Sequence, residues 1–180
     1  PDDDVVQVDH DNVGACKELV TVLFAKGIQN IAYLGSNMDQ MVNRCRYQGY
    51  EEAYRKGKRK LNQDLVYTDL SSRAMVEKAV EELKNSGVEC ILCQDDYICD
   101  EVVRKLARMG VRIPDQMKVA SCHYSRILEN YPVTITSLKF NITELGRRSC
   151  QVLLDMIHGK TVPDKTLLDY EIILKESTKG

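Results

Sequence analysis

Short apolar runs alternate with helix-period segments along almost the whole chain, and that rhythm constrains the fold more than any other feature. Val5–Val8 reads as a strand. Asp11–Lys26 reads as a helix with Leu19, Val22 and Leu23 on one face, Asp11 or Asn12 as N-cap, and Gly27 as its stop. Ile31–Leu34 is the next strand, and Met41–Lys58 is helical. Leu65–Tyr67 is a short strand, followed by a helix that opens at Ser71 or Ser72, carries Val76, Ala79, Val80 and Leu83, and ends before Gly87. Cys90–Cys93 is a strand. Asp95 or Asp96 caps a helix to Met109, and Gly110 stops it. Met117–Ser121 is a strand, then a loop runs through Pro132. Thr134–Leu138 is extended, Asn141–His158 is a helix, Leu167–Leu174 is a last strand, and Ser177–Gly180 is a tail. Strand alternating with helix predicts right-handed crossovers: an α/β fold, a parallel sheet flanked by helices on both faces.

The 180 residues suit one domain, and 25 Lys+Arg against 27 Asp+Glu leave a net charge of −2. That balance argues against this chain gripping nucleic acid itself, which needs a basic excess or stripe. No apolar run approaches the ~20 residues that span a bilayer. The acidic start Pro1-Asp2-Asp3-Asp4 does not read as a signal peptide. Seven scattered cysteines do not read as a disulfide framework and fit a reducing cytoplasm. Cys90 and Cys93 have the CxxC spacing but lie in a strand, where residues three apart point to opposite faces and cannot share a metal. The reading is of buried apolar thiols with no metal and no cofactor.

In an open parallel sheet, ligands bind beyond the carboxyl ends of the strands. That rule nominates Gly35–Asp39, Gln94–Asp96 and Cys122–Tyr124, with Asp95 and His123 as neighbours if their strands are adjacent. No GxGxxG or GxxxxGK[ST] phosphate loop is present, and no Gly-x-Ser-x-Gly elbow. The strand-end aspartates suit either a helix cap or a phosphoryl-accepting receiver domain, and His123 either a polar lining residue or a catalytic base.

Several ordered stretches resemble the effector-binding core of the LacI/GalR family of bacterial transcription regulators. Val8–Ala15 resembles the family's VD-x-DN-x-x-GA, and Gly27–Gly35 its GH-x-x-IA-x-LG. Arg46–Tyr50 resembles R-x-x-GY, and Gly110–Val119 resembles G-x-x-IP-x-D-x-x-V. Ile135–Leu138 resembles LTT-[VI], Glu144–Arg148 resembles ELGRR, and Lys175–Thr178 the terminal REST. The resemblance implies a two-lobed sugar-binding-protein fold, a small effector (a sugar or sugar derivative) in the cleft, a homodimer, and operator DNA contacted by an N-terminal helix-turn-helix. It also implies that residues 1–180 are the C-terminal part of that core, without the headpiece and most of the N-terminal lobe.

Carried over by position, the resemblance assigns ligand contact to Arg46, whose guanidinium suits vicinal hydroxyls or a carboxylate. A surface helix arginine is the plainer alternative. Gln94 is expected to face the ligand, with Asp95 supporting it. His123 departs from the family's usual aspartate, which leaves room for an anionic or phosphorylated effector. Leu70 stands where relatives often carry a stacking aromatic; Tyr97, Tyr124 and Phe140 are candidates for an apolar wall, and each is equally a packing residue. The expected function is ligand sensing and dimerisation in a cytoplasmic regulator, without catalysis. A solute-binding protein of a sugar transporter is the alternative. The apolar stripe of the Asn141–His158 helix is expected to be covered by another copy or by a rearranged element.

Overall fold

Two tetrads, Ile31–Leu34 (β2) and Cys90–Cys93 (β4), are buried at every position, the pattern of strands covered on both faces. The structure, a computed structural model, describes residues 5–179, so the acidic start 1–4 and Gly180 lie outside the described residues. Around β2 and β4 stand Val66–Tyr67 (β3), Lys118–Ser121 (β5), Thr136–Phe140 (β6) and Tyr170–Ile173 (β8), in the order β3-β2-β4-β5-β6-β8. All neighbours in this sheet run parallel except β6 and β8, so the expected parallel sheet carries one antiparallel edge.

The pleat divides the core in two. Ala32, Leu34, Ile91, Cys93 and Val119 face the helices Arg73–Leu83 (α3) and Asp96–Arg108 (α4). Ile31, Tyr33, Cys90, Leu92 and Ala120 face Asn12–Ala25 (α1) and Met41–Lys56 (α2). Helices therefore cover both faces, and Cys90 and Cys93 point into opposite cores, as their alternation demands. Four of the helix starts are fixed by short polar side chains, Ser72 of α3 accepting from Met75 N at 3.4 Å. Asp11 accepts from Gly14 N at 2.8 Å, Asp95 from Ile98 N at 2.9 Å and Asn141 from Glu144 N at 3.0 Å.

Three elements differ from the sequence reading. The first strand is Gln7–His10 (β1), not Val5–Val8, because its register begins at Gln7 opposite Lys165 and Val5 is exposed. The single expected strand Leu167–Leu174 is two. Lys165–Leu168 (β7) pairs with β1 in a separate two-stranded sheet, Asp169 turns the chain, and β8 joins the main sheet. The expected tail is a 3-10 turn, Glu176–Thr178, with Ser177 and Thr178 fully buried.

The helix Ile142–Ile157 (α5) lies against β1, and among its described residues only Val152 is buried. Ile142, Leu153, Leu154, Met156 and Ile157 are exposed, so no described element has rearranged to cover the stripe. A contiguous apolar helix face in water binds hydrophobic dyes. The chain is therefore expected to enhance anilinonaphthalene sulfonate fluorescence, and Leu153→Glu with Ile157→Glu is expected to remove most of that enhancement at unchanged Tm. Equal dye binding by the double variant would place the exposed apolar surface elsewhere.

Candidate functional site

The carboxyl ends of β2, β4, β5 and β6 share one edge of the sheet, and polar groups collect there. Arg46 lies in the second turn of α2 and reaches across the end of α1 into this edge. Its Nε donates to Asn12 Oδ1 at 3.2 Å, and its Nη1 donates to the Gln94 carbonyl at 2.9 Å. Only 8% of the residue is exposed, so this is no surface arginine. Asn12, itself buried, donates from Nδ2 to the His10 carbonyl at 3.2 Å. One side chain thus ties the end of β1, the start of α1 and the end of β4 together.

Phe140, at the end of β6, is the shared apolar surface. The His10 ring lies 4.8 Å from it, the His123 ring stacks at 6.4 Å with an 18° interplanar angle, and the Arg46 guanidinium carbon stands 5.9 Å from its centroid. Gln94 is fully buried. Its Oε1 accepts from Ser36 N at 3.1 Å and from the Tyr33 hydroxyl at 3.4 Å, while its Nε2 has no partner among the described residues. His10 Nε2 is likewise buried and without a partner.

β4 and β5 are adjacent, so the aspartates after one meet the histidine after the other. The contact is made by Asp96, not Asp95: His123 Nδ1 is 3.1 Å from Asp96 Oδ1. Asp95 spends its carboxylate on the cap of α4. Burial acts to raise the Asp96 carboxyl, but hydrogen bonds from Ser125 and His123 outweigh it and hold it below the usual carboxylate range. Tyr124 turns away from this cluster, its hydroxyl donating to Glu129 and its ring carrying Lys175 at 4.8 Å. Tyr97 is exposed, and Leu70 is buried in the α3/α4 core. The Cys16 and Cys122 thiols lie 3.6 Å apart beneath the site, and burial pushes Cys16 far up, which makes it a poor nucleophile.

Of the residues expected at the site, the fold brings Arg46, Gln94, His123 and Phe140 together. Asp95 is adjacent in a capping role, and Tyr124 stands apart. His10 and Asn12 were not singled out from the sequence as site residues, and Asp96 was nominated only within the Gln94–Asp96 stretch, with Asp95 expected to be the neighbour of His123. Asn12 was read only as an alternative N-cap to Asp11; the structure gives the cap to Asp11 and leaves the Asn12 amide to Arg46 and the His10 carbonyl.

Converging polar groups at the open strand ends of a helix-covered parallel sheet are the usual setting of a small-molecule site in such folds. A family model for the periplasmic binding protein-like domain matches residues 20–178, and the chain belongs to that family, in the form found as the effector core of LacI/GalR regulators. It is 27% identical over 180 residues to the HTH-type transcriptional regulator CelR of Thermobifida fusca, covering 98% of this chain and 53% of that protein. It is 26% identical over 175 residues to the regulator GntR of Escherichia coli K12, covering 90% and 49%. A solved transcriptional regulator CelR–cellobiose complex superposes with a TM-score of 0.86 at 26% identity, over 98% of this chain and 55% of that one. The chain spans about half the length of the curated relatives it matches.

Proposed function

We propose that this chain is the ligand-sensing core of a LacI-type transcription regulator. A small effector, a sugar or sugar derivative, binds at the strand ends against Arg46, Gln94, His123 and Phe140, with Asp95 supporting the β4 end and Tyr124 outside the contact set. The regulator works in the cytoplasm as a homodimer and meets operator DNA through a helix-turn-helix outside these 180 residues. No catalytic step is involved.

The observation that carries the reading is the buried Arg46. It bonds at once to Asn12, beside the β1/β7 pair, and to Gln94 at the end of β4. β1 and β7 form their own sheet, so a ligand touching Arg46 is coupled to both sheets. Ligand that favours one relative setting of these two parts shifts the population toward it, which is how an effector changes the spacing of paired DNA-binding domains. The cellobiose complex of the similar CelR supports a saccharide as the effector class. Seven free thiols, most of them buried, agree with a reducing compartment.

The test is thermal denaturation of the full-length regulator with cellobiose and a panel of mono- and disaccharides, in neutral, acid and phosphorylated forms. A true effector at 100 Kd contributes about 2.7 kcal/mol, a rise of roughly 5–10 °C for a domain of 150–250 residues and less for a longer chain. The same compound is expected to change retention of promoter DNA in a gel. A panel in which no compound moves Tm would sink the proposal.

A further inference from the structure

We infer that the far end of α2 is a docking surface for an acidic segment of another protein, one that carries an apolar side chain among its carboxylates. The surface lies away from the effector site and does not depend on that reading.

The stretch Arg55-Lys56-Gly57-Lys58-Arg59-Lys60 puts five cations in six residues, and no acid stands between Ala53 and Gln63. Lys26, at the end of α1, adds a sixth. All but Arg59 are exposed, and among the described residues none of the six makes an ion pair. The chain treats its other cations differently: on α3 and α4, Arg73, Lys105 and Arg108 all pair with Glu77. Two acids close to the cluster in sequence or space are engaged elsewhere. Glu52 holds Lys17 at 3.1 Å, and Glu89 accepts from the Gln29 and Asn30 backbone N–H groups. In a chain of net charge −2, six uncompensated cations on one patch repel one another and attract an anion.

Helix dipoles account for only part of this. Arg55 and Lys56 lie in the last turn of α2, and Lys26 caps α1, where cations are favourable. Lys58, Arg59 and Lys60 lie beyond the helix. Lys58 has φ 52°, in the left-handed region, while Gly57 beside it has φ −75°. Glycine closes a helix in the left-handed conformation without steric cost, so a lysine there is strained, and what the position gains in return is its charge.

Beside the cations runs a groove of about 360 Å³, lined by Phe24, Ala25 and Ala53 together with Lys56 and Arg59. The Arg59 guanidinium carbon stands 4.3 Å from the Phe24 centroid, and its Nη1 donates to Gln29 Oε1. Gln29 precedes β2, so this is the end of the sheet opposite the strand ends that form the effector site. Apolar side chains bordered by cations suit a ring of carboxylates around an aliphatic or aromatic side chain. A nucleic-acid duplex would instead need cations repeated along a stripe, and these are gathered at one helix end of an otherwise acidic chain.

Fluorescence anisotropy on the full-length protein tests this, with a fluorescein-labelled peptide of eight glutamates flanking one phenylalanine and the same peptide with a central alanine. The phenylalanine peptide is expected to bind about tenfold tighter than the alanine peptide, and its Kd to rise with added salt. Lys56→Gln, Lys58→Gly and Lys60→Gln combined are expected to weaken it by about tenfold. Lys58→Gly alone is expected to raise the urea midpoint while weakening the peptide several fold, a split that a purely structural lysine would not show. Equal binding of the two peptides would overturn the inference, as would a Lys58→Gly variant that gains stability and keeps full affinity. Tighter binding of a random DNA duplex or of phosphatidylserine vesicles, lost in the triple variant, would also overturn it and assign the patch to nucleic acid or membrane.

Discussion

Gly49→Ala is expected to destabilise the chain by about 1–3 kcal/mol, although the same change in an ordinary helix stabilises by about 1 kcal/mol. The reason is how closely α1 and α2 approach. A Cβ at Gly49 would lie 2.4 Å from the Val13 carbonyl oxygen, 2.9 Å from the Cys16 Cβ and 3.0 Å from the Lys17 backbone nitrogen. Two of the three obstacles are backbone, which cannot swing aside, so the helices must part. Gly146 is the control. It lies inside α5 with nothing within 4 Å of its would-be Cβ, so Gly146→Ala is expected to stabilise by up to about 1 kcal/mol. Urea midpoints of the two variants at equal m-values decide the matter. Equal and positive shifts would mean that Gly49 is a propensity defect and not a packing requirement.

Parting α1 from α2 also reaches the site. Arg46 stands one turn before Gly49 and bridges to Asn12 on α1, while Tyr50, next to Gly49, donates from its hydroxyl to the Ile31 carbonyl at 2.8 Å. The motif Arg46-x-x-Gly49-Tyr50 is thus one device: the glycine sets the distance, the tyrosine fastens α2 to β2, and the arginine is delivered to the strand ends. Gly49→Ala is expected to weaken effector binding along with stability for that reason.

That device marks how far the sequence alone reaches. The alternation of apolar runs with helix-period segments identified the central strands β2 and β4 to the residue, because a strand buried on both faces is apolar at every position. It also put three polar clusters at the strand ends. It failed where contacts between distant segments decide. Nothing local in Leu167–Leu174 says that the chain leaves one sheet for another at Asp169. Nothing local distinguishes Asp95 from Asp96, yet one caps α4 and the other holds His123, since the choice depends on where β5 ends. The environment of Arg46 was invisible for the same reason: its bonds to the Asn12 amide and the Gln94 carbonyl join residues from three separate elements of the assembled edge.

Ser177→Ala is expected to cost about 2–4 kcal/mol, far more than removal of one hydroxyl from a chain terminus usually does. Read as a tail, Ser177 is in fact a cross-strand rung. Its Oγ donates to the Val119 carbonyl at 2.6 Å and accepts from Thr136 N at 2.8 Å, joining β5 to β6 beside their first direct pair, Ala120 with Thr136. The residue is fully buried, so alanine would leave a donor and an acceptor in the core with no water to replace the hydroxyl. Thr178→Val is the graded comparison. It removes the 2.6 Å contact to the Thr136 hydroxyl, but that hydroxyl keeps its bond from Lys175 N at 2.9 Å, so the expected loss is nearer 1 kcal/mol. Hydrogen exchange reads the mechanism directly, because the Thr136 amide should lose protection in Ser177→Ala and hold it in Thr178→Val. If the two variants unfold at the same urea concentration with the Thr136 amide still protected, β5 and β6 are held by their own ladder and the buried turn merely covers them. If they separate as expected, the last turn of the chain is what closes the sheet beside the strands that carry His123 and Phe140, and a truncation that removes it should loosen the ligand site from the far end of those strands.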